Sequence, residues 1–395
     1  MFCLFNNIRK KEILDSVINA QKDKNNIDDA LSKLLGFALE QGISGNVWKS
    51  YIIYTLIFND NPYTRSIERN NSINPSLELA KKDLIKFYEL YSLELNWLSE
   101  LADFNFSNRK TIIAKEIELI ISKIDDSYSS FEKAVLDFYI NKGLANMALY
   151  KAFRVDNGIL SPIYNVLDVS FNDLIGYDYQ KSMLIENTEN FIAGKPYNNV
   201  LLYGDSGTGK STSIKALLNT YFDNGLRIIE VYKHQMKEIA KIIHTLKNRP
   251  YSYIIYMDDL SFEEDEIEYK YLKSIIEGGI EPKPNNVVIY ATSNRRHLIK
   301  ETFKDNGDID DDLHRNETKA EKLSLAYRFG LQIFYSSLSP KEFRKMVIEL
   351  ANKSNITIEE NTLLLEANKW ELTYGSLSGR CATQFINYLV NKITK

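Results

Sequence analysis

The sequence predicts an α/β fold in which a mostly parallel sheet is flanked by helices, with an all-α region before it and a small helical lid after it. Three observations carry this expectation. From about Lys10 to Lys151 apolar side chains recur at three-and-four spacing; from Pro162 to Pro340 short apolar runs alternate with helical patterns; after Pro340 only helical patterns remain. With 395 residues the chain has room for two or three cores, and we expect them at 1–160, 161–338 and 339–395.

The first region reads as helices throughout. In residues 27–41, Leu31, Leu34, Leu35, Ala38 and Leu39 form one stripe, with Asp28 and Asp29 at its start and Gly42 past its end. Residues 77–101 repeat the pattern through Leu84, Phe87, Tyr88, Tyr91, Leu95 and Leu98, behind Pro75 and Ser76. Further helices are expected at 111–122 and 130–150. The apolar run 47–58 holds Lys49, Ser50 and Thr55 and is shorter than the roughly 20 residues a spanning helix needs, so it reads as a buried helix. No chemistry is legible in this region. It suits a partner-binding or assembly element as well as plain support.

Residues 156–162, opening Asp156-Asn157-Gly158, read as a linker. Strands are then expected at 199–203, 226–232, 251–257, 287–292 and 331–335, and lid helices at 341–353, 358–371 and 379–393.

Composition narrows the setting. With 44% hydrophobic and 26% charged residues the chain is neither a disordered nor a membrane sequence. Lys plus Arg (49) against Asp plus Glu (53) gives a formal charge of −4, which does not advertise a nucleic-acid surface. Cys3 and Cys381 stand near opposite ends, without disulfide or zinc spacing, and residues 1–9 lack the apolar core of a signal peptide, so a reducing, cytoplasmic setting is expected. His234, His244, His297 and His314 show no metal spacing.

The chemistry begins at Gly204-Asp205-Ser206-Gly207-Thr208-Gly209-Lys210-Ser211, with Thr212 next, between an expected strand and an expected helix. This matches G-x-x-x-x-G-K-[ST]. Glycines let backbone N–H groups converge on phosphate oxygens at the positive end of the following helix. Lys210 would reach the β- and γ-phosphates and Ser211 would hold Mg²⁺. The apolar run ending in Asp258-Asp259 would bring two carboxylates to the same sheet edge, Asp258 for Mg²⁺ and Asp259 for the attacking water, although a strand also often ends in Asp at a turn. Asn294 ends another such run and could lie between the acids and the γ-phosphate, or simply end a strand.

This order of phosphate loop, acidic strand end, Ala291-Thr292-Ser293-Asn294, Arg328-Phe329-Gly330 and a late Gly379-Arg380 resembles AAA+ ATPases. Three stretches, Leu174-Ile175-Gly176-Tyr177, Asp258-Asp259-Leu260-Ser261-Phe262 and residues 290–298, are similar to a bacterial family of predicted AAA+ ATPases known only as a domain of unknown function. The resemblance runs from about Phe171 to the C-terminus. It implies ATP as the nucleotide, Asn294 as a first sensor, Arg380 as a second sensor on the lid, Arg328 as an arginine finger, and Ile175 and Gly176 beside the adenine. A finger usually serves the neighbouring subunit, so a ring or spiral homo-oligomer acting on an unidentified protein client is implied. The residue-level alternatives are a surface salt-bridge partner for Arg328 and an ordinary helix-start residue for Arg380. The chain departs from the pattern in carrying Asp259 where most relatives have Glu, and Tyr327 where Asp is usual. The shorter acid also occurs in helicase-loader relatives. A nucleotide-dependent switch or loader that hydrolyses ATP rarely is therefore the competing expectation.

Two further features read as structural. The acidic run at 305–312 does not fit a calcium loop and reads as solvated, and residues 277–280 read as a helix end and turn.

Overall fold

The structure is a computed structural model that describes residues 2–70, 77–101, 111–262, 266–277, 282–294, 298 and 325–393. The turn expected at 278–280, the acidic run at 305–312, residues 295–297 of the family-like stretch, and His314 lie outside the described residues. The chain divides into two compact units, Met1–Tyr150 and Lys151–Lys395.

The first unit is helical: α1 (Lys11–Lys22), α2 (Ile27–Gln41), α3 (Val47–Ile57), α4 (Pro62–Asn70), α5 (Leu77–Tyr91), α6 (Ile112–Ile121), α7 (Tyr128–Asn141) and α8 (Ala145–Leu149). Helix α3 is its centre. All of its residues except Lys49 are buried, and the Asn46 side chain caps it by accepting from Lys49 N at 2.9 Å. Tyr139 Oη donates to Leu56 O at 2.8 Å and Trp48 Nε1 to Leu90 O at 2.6 Å, so the large aromatics of this core also satisfy their polar ends. Helix α2 runs over the predicted residues, but its buried face is Ala30, Leu34, Phe37, Ala38 and Gln41, and Leu39 is exposed. Two expected helices are shorter than read. The one starting at Leu77 stops at Tyr91, and a 3₁₀ turn at Asn96–Leu101 follows. The region 130–150 breaks at Gly143, whose φ of 86° cannot continue a helix.

The second unit opens with a hairpin, β1 (Ala152–Asp156) and β2 (Ile159–Ile163). The expected linker is this hairpin. Asn157 (φ 50°) and Gly158 (φ 73°) form a two-residue turn of left-handed residues, whose twist suits paired strands, and β1 joins the sheet beside β4. Residues 151–160 therefore belong with the sheet and not with the helical unit.

The remaining strands are β3 (Val200–Gly204), β4 (Leu226–Glu230), β5 (Ser252–Met257), β6 (Val287–Ser293) and β7 (Leu331–Tyr335), within two residues of the expected bounds. The sheet order is β2-β1-β4-β5-β6-β3-β7, parallel apart from the β1–β2 pair. Ile254 and Tyr256 of β5 pack with α9 (Asp178–Ile192) and α10 (Lys210–Tyr221). Tyr253 and Ile255 on the opposite alternation are equally buried, so the sheet is covered on both faces. Helices α11 (Ile239–Leu246) and α12 (Glu268–Glu277) follow β4 and β5 in the chain.

The lid is α13 (Pro340–Lys353), α14 (Glu360–Tyr374) and α15 (Gly379–Ile393), with its own core of Phe343, Val347, Ala367 and Phe385 among others. A reciprocal cap between Ser339 and Glu342, with Pro340 at the first helical position, fixes where α13 begins. This is the architecture that the sequence predicts, a mostly parallel sheet flanked by helices with a small helical lid after it. Among the described residues no helix is long and apolar enough to cross a membrane.

Candidate nucleotide-binding site

The parallel strands set the position of the site. β3 lies between β6 and β7, with Tyr203 opposite Ser293 and Gly204 opposite Tyr335, so the loop leaving β3 emerges between the carboxyl ends of both neighbours. Gly204 has φ 132°, and an added Cβ would lie 2.0 Å from the Tyr335 carbonyl oxygen. Only glycine fits there. Asp205 N donates to Tyr335 O at 3.2 Å, while the Asp205 carboxylate accepts from Ser337 N at 3.1 Å and from the Ser337 hydroxyl. Thr208 Oγ1 closes the loop by donating to Asp205 O at 2.8 Å. Helix α10 then starts at Lys210, directly after Gly209, and brings its unpaired N–H groups and positive end to the loop.

Lys210 is 5% exposed, and its Nζ donates to Gly204 O (2.8 Å), Asp205 O (2.7 Å) and Asn294 Oδ1 (3.0 Å). All three ammonium protons are therefore used. Burial draws its pKa below the ordinary lysine value, opposed by the charges of Asp205, Asp259 and Asp258.

Past the end of β5, Asp258 Oδ1 accepts from Ser211 Oγ at 2.7 Å and from Thr292 Oγ1 at 2.6 Å. Burial pushes this carboxyl up, but the hydrogen bonds from Thr292 and Ser211 outweigh it and hold the pKa below the usual carboxylate value. Asp259 sits at φ 50°, a conformation that costs a non-glycine residue about 1–3 kcal/mol. Its N–H donates to Thr292 Oγ1 at 2.9 Å and its carboxylate accepts from Asn294 Nδ2 at 2.7 Å, which holds it there. Asn294 thus touches Lys210 and Asp259 at once.

The lid reaches the same place. Arg380 N donates to Gly207 O at 3.1 Å, and a Cβ on Gly207 would lie 3.0 Å from Arg380 Cβ. Together these elements enclose a cavity of about 680 Å³ lined by Ser206, Gly207, Thr208, Gly209, Lys210, Ser211, Thr212, Asp258, Asp259, Asn294 and Arg380. Leu174, Ile175, Met346 and Leu350 give it an apolar wall.

Four expected site residues lie elsewhere. Gly176 lines a neighbouring cavity of about 550 Å³ instead. Gly204 and Asp205 do not line the main cavity. Their carbonyls hold Lys210 from beneath, and the Asp205 side chain is turned to Ser337. Arg328 also lies outside it, ion-paired with Glu277 at the end of α12. Conversely, Thr292 joins the Asp258 carboxylate to the Asp259 main-chain N–H and was not singled out as a site residue. Its signal was its place two residues before Asn294 at a buried strand end.

Residues 145–393, more than half of the chain, match the family described as protein of unknown function DUF815. The chain belongs to the DUF815 family. No curated protein matches it. Among solved structures, this DUF815 protein is similar to a variant of RuvB from Thermotoga maritima at 18% identity, over 57% of this chain and 65% of that one, with a TM-score of 0.39. A second variant gives 16% identity over the same shares and a TM-score of 0.40, so the DUF815 chain spans about two thirds of the length of these first two structures. A structure titled as the Thermotoga maritima RuvB Holliday junction branch migration motor gives 15% identity, 56% of this chain, 72% of that one and a TM-score of 0.33.

Proposed function

We propose that the chain binds ATP with Mg²⁺ and hydrolyses it at the interface between subunits of a homo-oligomer, and uses the cycle to remodel or move a protein partner. The observation that carries this is the hydrogen-bonded set Ser211–Asp258–Thr292–Asp259–Asn294–Lys210 around one cavity. The donor set fits the ligands. A buried ammonium and a helix N-terminus suit phosphate oxygens, a hydroxyl beside an ionised carboxylate suits a hard cation, and the cavity volume lies within the roughly 300–1,000 Å³ of small-molecule sites. In this reading Ser206 to Thr212 hold the phosphates, Ser211 and Asp258 hold Mg²⁺, Asp259 and Asn294 orient the attacking water, and Ile175 lies against the base. Mg²⁺ supplies charge neutralisation of the phosphates when bound.

Arg380 reads lid position from the first turn of α15. Arg328 completes the site of the neighbouring subunit, a role supported by its position outside its own cavity. The helical first unit holds the partner. Two separated free cysteines, Cys3 and Cys381, support work in the cytoplasm.

The test is phosphate release at steady state. Lys210→Ala is expected to lower turnover by about 10²-fold or more, the scale of losing one donor to transition-state charge. A second reading, favoured by the short acid Asp259, is a switch or loader that assembles on protein or nucleic acid in the ATP state and rarely hydrolyses. Wild-type protein that binds ATP yet releases no more phosphate than Lys210→Ala would select that reading over the motor.

A further inference from the structure

Tyr256 lies near the end of β5, on the face it shares with Ile254, and two residues before Asp258, which stands just past the strand's end. Helix α10 covers that face, and Tyr256 packs with Ile214, Leu217 and Leu218. The side chain is 4% exposed. Its hydroxyl is shut off from water and makes no hydrogen bond of full geometry, while Ser211, Asp258 and Thr292 are its interacting polar neighbours. Leaving a buried hydroxyl unpaired costs about 1–3 kcal/mol, which phenylalanine would avoid. Two other buried tyrosines of this sheet, Tyr290 and Tyr335, do not carry that cost. Tyr290 Oη meets Asn187 Nδ2 at 3.0 Å and Thr188 Oγ1 at 2.9 Å, and Tyr335 Oη meets Ser213 Oγ at 3.0 Å.

We propose that Tyr256 is a positioning residue for the metal-binding pair, its hydroxyl becoming a donor to the Asp258 carboxylate when Ser211 and Asp258 hold Mg²⁺. This rests on the Mg²⁺–nucleotide reading above. The hydrogen bonds from Ser211 and Thr292 both go to Oδ1 of Asp258, and a carboxylate has about four acceptor positions. Asp258 therefore has spare capacity, and Tyr256 is an adjacent donor whose bond to it is not fully formed. Hydrogen bonds to a ligating carboxylate fix its orientation, and losing one typically costs about 10–100-fold in metal affinity.

Tyr256→Phe in the full chain removes the hydroxyl and keeps the packing. The measurement is the Kd for ATP by titration calorimetry, once with Mg²⁺ and once in EDTA, together with the thermal midpoint without ligand. The expected result is that the Mg²⁺-dependent gain in ATP affinity falls about 10–100-fold, with affinity in EDTA unchanged and the midpoint equal to or above wild type. A Phe chain that keeps the full Mg²⁺-dependent gain overturns the assignment and leaves Tyr256 a core residue. Equal loss with and without Mg²⁺ also overturns it, as general distortion. A Phe chain that fails to fold, or that melts below wild type, also overturns it, since the hydroxyl would then be needed by the core itself. Wild-type protein without any Mg²⁺-dependent ATP binding would instead remove the nucleotide reading, and this assignment with it.

Discussion

Arg328→Ala is expected to reduce ATP turnover by about three orders of magnitude or more while leaving ATP binding nearly intact, the pattern of a residue that meets the transferring phosphoryl group only in the transition state. The geometry makes this discriminating. Within one chain Arg328 lines no part of the phosphate cavity and is paired with Glu277, so its removal takes nothing from the chain's own ground-state contacts with nucleotide. Equal loss of ATP binding and turnover would make the Glu277 pair structural and Arg328 no finger. Mixing provides the second arm. Arg328→Ala subunits keep their own acids, and Asp259→Asn subunits keep their arginine, so mixed assemblies should regain part of the activity that each lacks alone. Mixtures no more active than their components would argue against a shared site.

Gly204→Ala is expected to cost about 4 kcal/mol or more in the denaturant transition of the unit that holds the sheet, at the extreme of single substitutions. The new Cβ would stand 2.0 Å from a backbone oxygen of β7, and neither strand can retreat without losing the parallel ladder that both belong to. Gly36→Ala in α2 is the contrasting control. There an added Cβ meets nothing within 4 Å, and the helix should gain about 0.5–1 kcal/mol. A Gly204→Ala chain that unfolds within about 1 kcal/mol of wild type would mean that the loop can enter by another path.

The sequence was most readable where a residue's role is set by its neighbours along the chain. The five predicted strands, the three lid helices and the run from Ser206 to Ser211 all depend on local periodicity or local turn chemistry, and their bounds agree closely with the structure. The hairpin was missed because Asn157-Gly158 reads equally as linker and as turn until β1 is seen beside β4, a pairing that spans about 75 residues of sequence. Asp205 was expected to face the phosphates because it lies inside the motif. Its partner, Ser337, is 132 residues away and visible only in three dimensions. Thr292 illustrates the same limit. A threonine in a buried strand is ordinary, and only the convergence of β5 and β6 sets its hydroxyl between the Asp258 carboxylate and the Asp259 main-chain N–H. The arrangement around Arg328 was open between finger and salt-bridge partner, and within one chain it does form an ion pair.

The hydrogen bond from Arg380 N to Gly207 O ties the first turn of α15 to the phosphate loop through main chain alone. At position 380 only proline, which has no backbone N–H, would delete it outright. The tilt of the lid and the orientation of the loop's central peptide are thus one mechanical coordinate. Thermodynamic reciprocity then applies to whatever grips α15. If ATP changes the affinity of a lid-bound partner by some factor, that partner must change the affinity for ATP by the same factor. On the proposed ATPase reading, a load on the lid would be felt as a change in nucleotide retention, a built-in tachometer whose reading is the residence time of ATP.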